Sequence, residues 1–240
     1  AGDAGAAAVG RADGGRVAVS VDGRLEWCDV SRDGEDALAR PATFPLLLRL
    51  CRRNSYESYP TAGSAWAGMI VDELARQGVD RFVVSPGGRS TPLALAIAKD
   101  PWARDRLTVV HDERSAAFYA LGHARAGPDA LAAVVTTSGT AAANLLPAAC
   151  EADADGVGVL FLTADRPADA RGVAADQVLT RQADVMTNVA RRTADLPPAD
   201  DRTVMLGDLG EVSAAVAAAR NPNDPGPAQL NCAFRENLAP

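Results

Sequence analysis

Residues 81–98 read Arg-Phe-Val-Val-Ser-Pro-Gly-Gly-Arg-Ser-Thr-Pro-Leu-Ala-Leu-Ala-Ile-Ala. A short β-branched run meets a Pro-Gly-Gly turn, then Ser90 or Thr91 in position to cap a helix, then Pro92 suited to that helix's first turn. This is a strand passing into a helix through a tight loop, and the alternation recurs outward from it. Strand-like runs apolar on both faces stand at Arg81–Ser85, Leu107–His111, Leu131–Thr136, Val157–Thr163 and Ala228–Cys232. Ala-rich helical stretches stand between them at Pro92–Ala98, Ser115–Arg125, Ala141–Ala152 and Glu211–Arg220. A first helix carries Trp66, Met69, Ile70, Glu73 and Leu74 at helical spacing and stops at Gly78. The expected fold class is α/β: a doubly wound, mainly parallel sheet with helices on both faces, spanning residues 61–238 as one domain.

Residues 1–60 differ in texture. Val17, Val19 and Val21 alternate with polar residues, Asp22-Gly23 supplies a turn, and Leu25 and Trp27 resume the alternation, which predicts one hairpin. A short apolar helix is expected at Phe44–Cys51. Two strands bury too little surface to fold alone, so this stretch is expected to be an appendage or linker, or the tail of an upstream module.

Composition narrows the function. Of 240 residues, 24 are basic and 31 acidic, a net charge of −7, which disfavours nucleic acid and anionic lipid as partners. Alanine occurs 50 times against 11 aromatic residues, predicting a finely packed, helix-rich core. No apolar run approaches the roughly 18–20 residues that span a bilayer. Cys28, Cys51, Cys150 and Cys232 are widely separated, with no CxxC or Cys/His cluster, so neither a zinc site nor a disulfide framework is expected, and a reducing compartment fits. The chain starts at Ala1 without a basic-then-apolar leader, so no secretory signal is visible.

In such a sheet ligands bind beyond the carboxyl ends of the strands, where four loops share one rim. In the first, Ser85–Pro92, backbone N–H groups and a helix dipole face the turn and Arg89 adds a fork for a carboxylate or phosphate. The plainer reading is a turn with an exposed arginine. The second is His111-Asp112-Glu113-Arg114-Ser115, where either acid can serve as a helix cap and His111 is expected to pack or cap. The third, Thr136–Thr140, lets a ligand approach the backbone closely but lacks the lysine of a phosphate loop. The fourth, Thr163–Pro167, leads into an irregular segment at 168–177, with Asp165 and Arg166 expected to form a local salt bridge or a binding site.

Taken in this order, the runs Ser85-Pro-Gly-Gly-Arg-Ser-Thr-Pro-Leu-Ala-Leu-Ala96, His111-Asp-Glu-Arg-Ser115, Thr137-Ser-Gly-Thr-Ala-Ala-Ala-Asn-Leu-Leu-Pro147, Leu162-Thr-Ala-Asp-Arg-Pro167 and Leu230-Asn-Cys-Ala-Phe-Arg-Glu236 resemble the first, pyrimidine-binding domain of the 2-succinyl-5-enolpyruvyl-6-hydroxy-3-cyclohexene-1-carboxylate synthase family. The resemblance covers about residues 64–238. It implies a thiamine diphosphate-dependent transferase that decarboxylates 2-oxoglutarate and adds the product to isochorismate, on the route to menaquinone or phylloquinone.

By the same resemblance Glu113 is the catalytic carboxylate at N1′ of the cofactor's aminopyrimidine. Thr137, Ser138, Gly139, Thr140 and Asn144 line the pyrimidine end, and Gly88, Arg89, Arg166, Asp176 and Gln177 lie at the substrate carboxylates. Gly88 stands where the family usually has Ser, and Asp176 where it usually has Asn. Magnesium and the diphosphate belong to a separate domain in the family, so the expectation is that no metal ligand lies here, that the chain is a fragment, and that it is inactive alone. Gly207-Asp208 with Asn231 imitates the diphosphate motif superficially, but Asp208 is expected to cap the helix at Glu211–Arg220. Active sites form between subunits, implying a homo-oligomer, dimer or tetramer. The compartment would be cytoplasmic for a bacterial source and the chloroplast for a plant or algal one. Two other readings stay open: another thiamine diphosphate-dependent decarboxylase, resembling acetolactate synthase, and a non-catalytic α/β module of the same fold.

Overall fold

In the computed structural model, which describes residues 9–13, 16–21, 24–29, 59–172, 176–199 and 202–239, the chain divides into two units, 1–58 and 59–240. In the first, strands β1 (Val9–Asp13), β2 (Arg16–Val21) and β3 (Arg24–Asp29) form an antiparallel sheet in that order. The hairpin expected from the valine alternation is β2–β3, with Val21 opposite Arg24. β1 was not expected, because Val-Gly-Arg-Ala-Asp shows no apolar alternation. The helix expected at Phe44–Cys51 lies outside the described residues.

In the second unit, helix α1 (Ala62–Arg76) opens on a capping box in which Thr61 and Ser64 satisfy each other's backbone N–H. It buries Trp66, Ile70, Val71 and Leu74 completely. The rest alternates: β4 (Arg81–Val84), α2 (Thr91–Lys99), α3 (Pro101–Arg104), β5 (Leu107–Val109), α4 (Glu113–Ala124), β6 (Ala132–Thr136), α5 (Thr140–Ala143), α6 (Leu146–Asp155), β7 (Val159–Asp165), β8 (Arg192–Leu196), α7 (Arg202–Ala219) and β9 (Pro227–Ala233). All the pairings are parallel, and the six strands stand in the order β5-β4-β6-β7-β9-β8. Alanine sets the layer spacing: Ala116, Ala117, Ala120 and Ala124 of α4 meet Ala148, Ala149 and Ala152 of α6 and Ala132 and Val134 of β6 in one buried cluster. Among the described residues no helix is long and apolar enough to cross a membrane.

This topology contains a point where the strand order reverses. β4 and β6 are neighbours, yet the chain leaves β4 toward β5 and leaves β6 toward β7, in opposite directions across the sheet. Their carboxyl ends therefore flank a topological switch point, where an open α/β sheet has its ligand crevice.

Four local expectations need correction. The helix expected over Ala141–Ala152 is two helices, because Pro147 in the first turn of α6 has no N–H to bond the preceding turn. Ser90 stands at the N-cap of α2, but its hydroxyl donates back to the Gly87 carbonyl and caps nothing. His111 is exposed rather than packed. Asp208 lies inside α7, which begins at Arg202, and so is not a cap. β8 escaped the pattern because its Arg-Thr-Ala-Asp-Leu is a polar edge strand paired with β9 alone.

Candidate active site

The loops after β4 and β6 are held against each other. The Thr137 hydroxyl accepts from the Arg89 backbone N–H at 3.2 Å, and a Cβ on Gly87 would stand 2.4 Å from the Thr137 Cβ, so the turn must be glycine there. Nothing lies within 4 Å of a Cβ built on Gly88. The Arg89 guanidinium is 10% exposed and donates to the Phe234 carbonyl at 3.1 Å and to Glu236 Oε1 at 2.7 Å. The expected anion fork is thus already aligned on a carboxylate, one supplied by the exposed Glu236.

The third and fourth loops interlock in turn. Arg166 donates to the Ser138 hydroxyl at 3.4 Å and to the carbonyls of Gln177 and Asp176 at 3.2 and 2.8 Å. Gly139 has φ +76, and a Cβ there would fall 2.7 Å from the Gln177 carbonyl carbon and oxygen. The Gly139 N–H is bound by Gln182 Oε1 at 2.7 Å. That donor is therefore spent internally, which removes the phosphate-loop reading of Thr136–Thr140. Asp165 does not pair with the Arg166 guanidinium. It accepts from the Arg166 backbone N–H and forms its ion pair with Arg171 at 3.0 Å, because its carboxylate turns into the buried layer under the loop.

Glu113 takes the first position of α4, directly after edge strand β5, whose continuation at Val110 donates its N–H to the Val84 carbonyl of β4. Its neighbour Asp112 is the N-cap, accepting from the Ser115 N–H at 2.7 Å, and that hydrogen bonding holds the Asp112 carboxyl below its ordinary value. The capping role is therefore filled, and Glu113 is half-buried with no hydrogen bond or ion pair to another described residue. Thr140 and Asn144 are exposed, their side chains likewise unengaged by other described residues. Arg89, Thr137, Ser138, Gly139, Arg166, Asp176 and Gln177 thus form two interlocked pairs of loops, while no hydrogen bond ties Gly88, Glu113, Thr140 or Asn144 to them.

Sequence reasoning missed the polar layer beneath. Gln182, Gln229 and Asn231 are buried, and Asn231 donates to Asp165 Oδ2 and Asp195 Oδ1 at 2.9 and 2.8 Å. Asn231 is spoken for, and so cannot serve as a diphosphate-motif ligand. Arg171 bridges both carboxylates. Burial pushes the Asp195 carboxyl up, but the hydrogen bonds from Arg171 and Asn231 outweigh it and hold it below the ordinary 3.8. A lowered native value means the stabilisation is fully present above 3.8 and is lost as pH falls through the native value. Thermal unfolding followed downward from neutral pH is expected to show that loss. Arg171→Met should flatten the acid limb, and an unaltered limb would show that the pair carries no linkage.

Among the described residues no group of three or more His, Cys, Asp and Glu side chains could hold a metal ion.

A family model described as "Thiamine pyrophosphate enzyme, N-terminal TPP binding domain" matches residues 66–187. A 2-succinyl-5-enolpyruvyl-6-hydroxy-3-cyclohexene-1-carboxylate synthase of Salinibacter ruber is 47% identical over 184 residues, covering 75% of this chain and 30% of that protein. Synthases of the same name from Chlorobaculum parvum (47% over 176 residues) and Thermobifida fusca (44% over 177 residues) cover 73% and 74% of the chain and 29% and 31% of their own lengths. The chain spans about 30% of the length of these curated relatives.

Proposed function

The chain belongs to the thiamine pyrophosphate enzyme family through its N-terminal TPP-binding domain, and on that premise we propose that residues 61–238 are the pyrimidine-binding domain of a synthase that joins decarboxylated 2-oxoglutarate to isochorismate. The observation that carries this reading is Glu113: a half-buried carboxylate, relieved of capping duty by Asp112 and left without a partner among the described residues beside the switch point. A carboxylate so placed fits a protonatable ring nitrogen, and the unengaged Thr140 and Asn144 fit the edge of an aminopyrimidine. The same residues do not fit a diphosphate, since the Gly139 N–H is taken.

When bound, thiamine diphosphate supplies the carbon nucleophile for decarboxylation and carboligation. Glu113 holds and returns the proton at N1′, a role that favours a carboxylate kept from bulk water. Arg89 and Arg166 bring two guanidinium groups to one rim of an otherwise acidic chain, the pairing that two dicarboxylate substrates ask for. Arg166 is spent on backbone carbonyls and so shapes the loop as well as charging it. Arg89 is the better anion receptor, because a substrate carboxylate need only displace Glu236, which is 80% exposed. Assembly into a homo-oligomer is supported by apolar side chains left in water around the Glu113 helix: Phe118 and Tyr119 on α4 and Val109 on β5.

A full-length synthase carrying this domain is expected to consume 2-oxoglutarate only with isochorismate and thiamine diphosphate present. Absence of the joined product by mass spectrometry overturns the reading. In the same enzyme Arg89→Gln should raise KM for isochorismate about 10- to 100-fold, the worth of a charged hydrogen bond. An unchanged KM removes Arg89 from the pocket.

A further inference from the structure

We propose that Gln182 is a positioning residue whose buried side-chain amide fixes the Gly139 turn, and that its orientation is dictated from below by the Arg171–Asp165–Asp195 ion triad. Gln182 is 1% exposed. Its Oε1 accepts from the Gly139 N–H at 2.7 Å, and its Nε2 donates to the Ala164 carbonyl at 3.0 Å and to Asn231 Oδ1 at 2.8 Å. Turning the amide over would set N–H against N–H at Gly139 and oxygen against two oxygens on the other side.

The same logic holds one step further down. Asn231 donates through Nδ2 to two carboxylates, Asp165 and Asp195, so its oxygen must face Gln182 and the Thr163 hydroxyl. Arg171 forms ion pairs with both carboxylates, at 3.0 Å to Asp165 and 2.6 Å to Asp195, and so holds them in place. Gln229 closes the set by donating to Thr163 Oγ1 and to the Gln182 main-chain carbonyl. The two carboxylates, as acceptors for Asn231, therefore determine which way two neutral amides face, and the last of them holds the turn.

The site gains from this in two ways. Arg166 and Gln177 are held against the Ser138-Gly139 turn by a hydrogen bond and by backbone contact, and Gln182 holds the turn itself from below. The turn, at φ +76, is also held by a hydrogen bond within the chain, from the Gly139 N–H to Gln182 Oε1. This rests on the reading of the Gly139 turn as the border of the pyrimidine site, but the clamp itself is testable without cofactor.

The test is amide hydrogen exchange at Gly139, read by NMR on the 240-residue chain. Gln182→Met keeps the volume and removes donor and acceptor, and is expected to speed Gly139 exchange at least about tenfold while the β6 amides of Val134 and Val135 keep theirs. Gln182→Asn, which retains the amide but shortens its reach by one methylene, carries the same expectation should the methionine variant fail to fold. In a full-length synthase Gln182→Met should raise the Kd for thiamine diphosphate about tenfold. Unchanged Gly139 exchange in a folded variant overturns the proposal. If exchange speeds up while the unsubstituted synthase binds no thiamine diphosphate, the clamp stands and the functional reading falls.

Discussion

Glu113→Gln should remove about 10²–10⁴-fold of the rate at which a full-length synthase carrying this domain exchanges the C2 proton of its bound cofactor, the span assigned to a positioned acid–base group. Glutamine has the same shape and can still hydrogen-bond a ring nitrogen, but it cannot take up and release a proton there. The fold should survive the change. Asp112, not Glu113, caps α4, through the Ser115 N–H, and loss of one charge at the helix start costs about 0.3–1 kcal/mol. The variant therefore separates proton exchange from folding. Binding of thiamine diphosphate should persist at reduced affinity, whereas deuterium exchange at C2, followed by proton NMR after acid quench, should stall. Exchange at the unsubstituted rate would assign Glu113 to some other duty and leave an α/β domain whose chemistry resides elsewhere.

The elements that organise this site were legible in the sequence to the extent that apolar periodicity reaches them. β4 from Phe82 onward, β6 and β7 are continuous buried runs, and their turns carry Gly-Gly, Ser-Gly and Asp-Arg signals, so three of the four rim loops could be placed before any pairing was known. β8 could not, since an edge strand buries one side and Arg192, Thr193 and Asp195 carry no apolar pattern. Nor could the partners of Arg89 and Gln182. The carboxylate on Arg89 is 147 positions away, and Gln182 bonds Asn231 across 49. Single polar residues are ordinarily exposed, so a buried amide such as Gln182 gives no local sign. Only the strand order, which brings β9 beside β7, reveals that Asn231 stands under the loop following β7. The Asp165-Arg166 dipeptide misled for the opposite reason: neighbours in sequence at a strand end point to different sides, one into the polar layer and the other to the rim.

Gly139→Ala is expected to be the most destabilising single change at the rim, and its magnitude follows from two separate costs. At φ +76 and ψ −131 an alanine occupies a backbone region that essentially only glycine populates, worth about 1–3 kcal/mol. Its Cβ would also stand 2.7 Å from the Gln177 carbonyl carbon and oxygen, which are backbone atoms and cannot swing aside, adding overpacking of about 1–3 kcal/mol. Together they predict about 2–6 kcal/mol, or a fall in Tm of roughly 5–20 °C for a domain of this size. Relief by moving Gln177 is blocked at both ends, because Arg166 holds its carbonyl and Gln182 holds the glycine. Gly88→Ser makes the matched control on the same rim: nothing lies within 4 Å of a Cβ there, so its Tm should stay within about 2 °C of the parent, the shift that ±0.5 kcal/mol produces. Differential scanning calorimetry of the two variants decides the matter. A Gly139→Ala protein as stable as Gly88→Ser would mean that the Gln177 backbone yields freely, and the rim would then lack the rigidity that a preorganised anion and pyrimidine site requires.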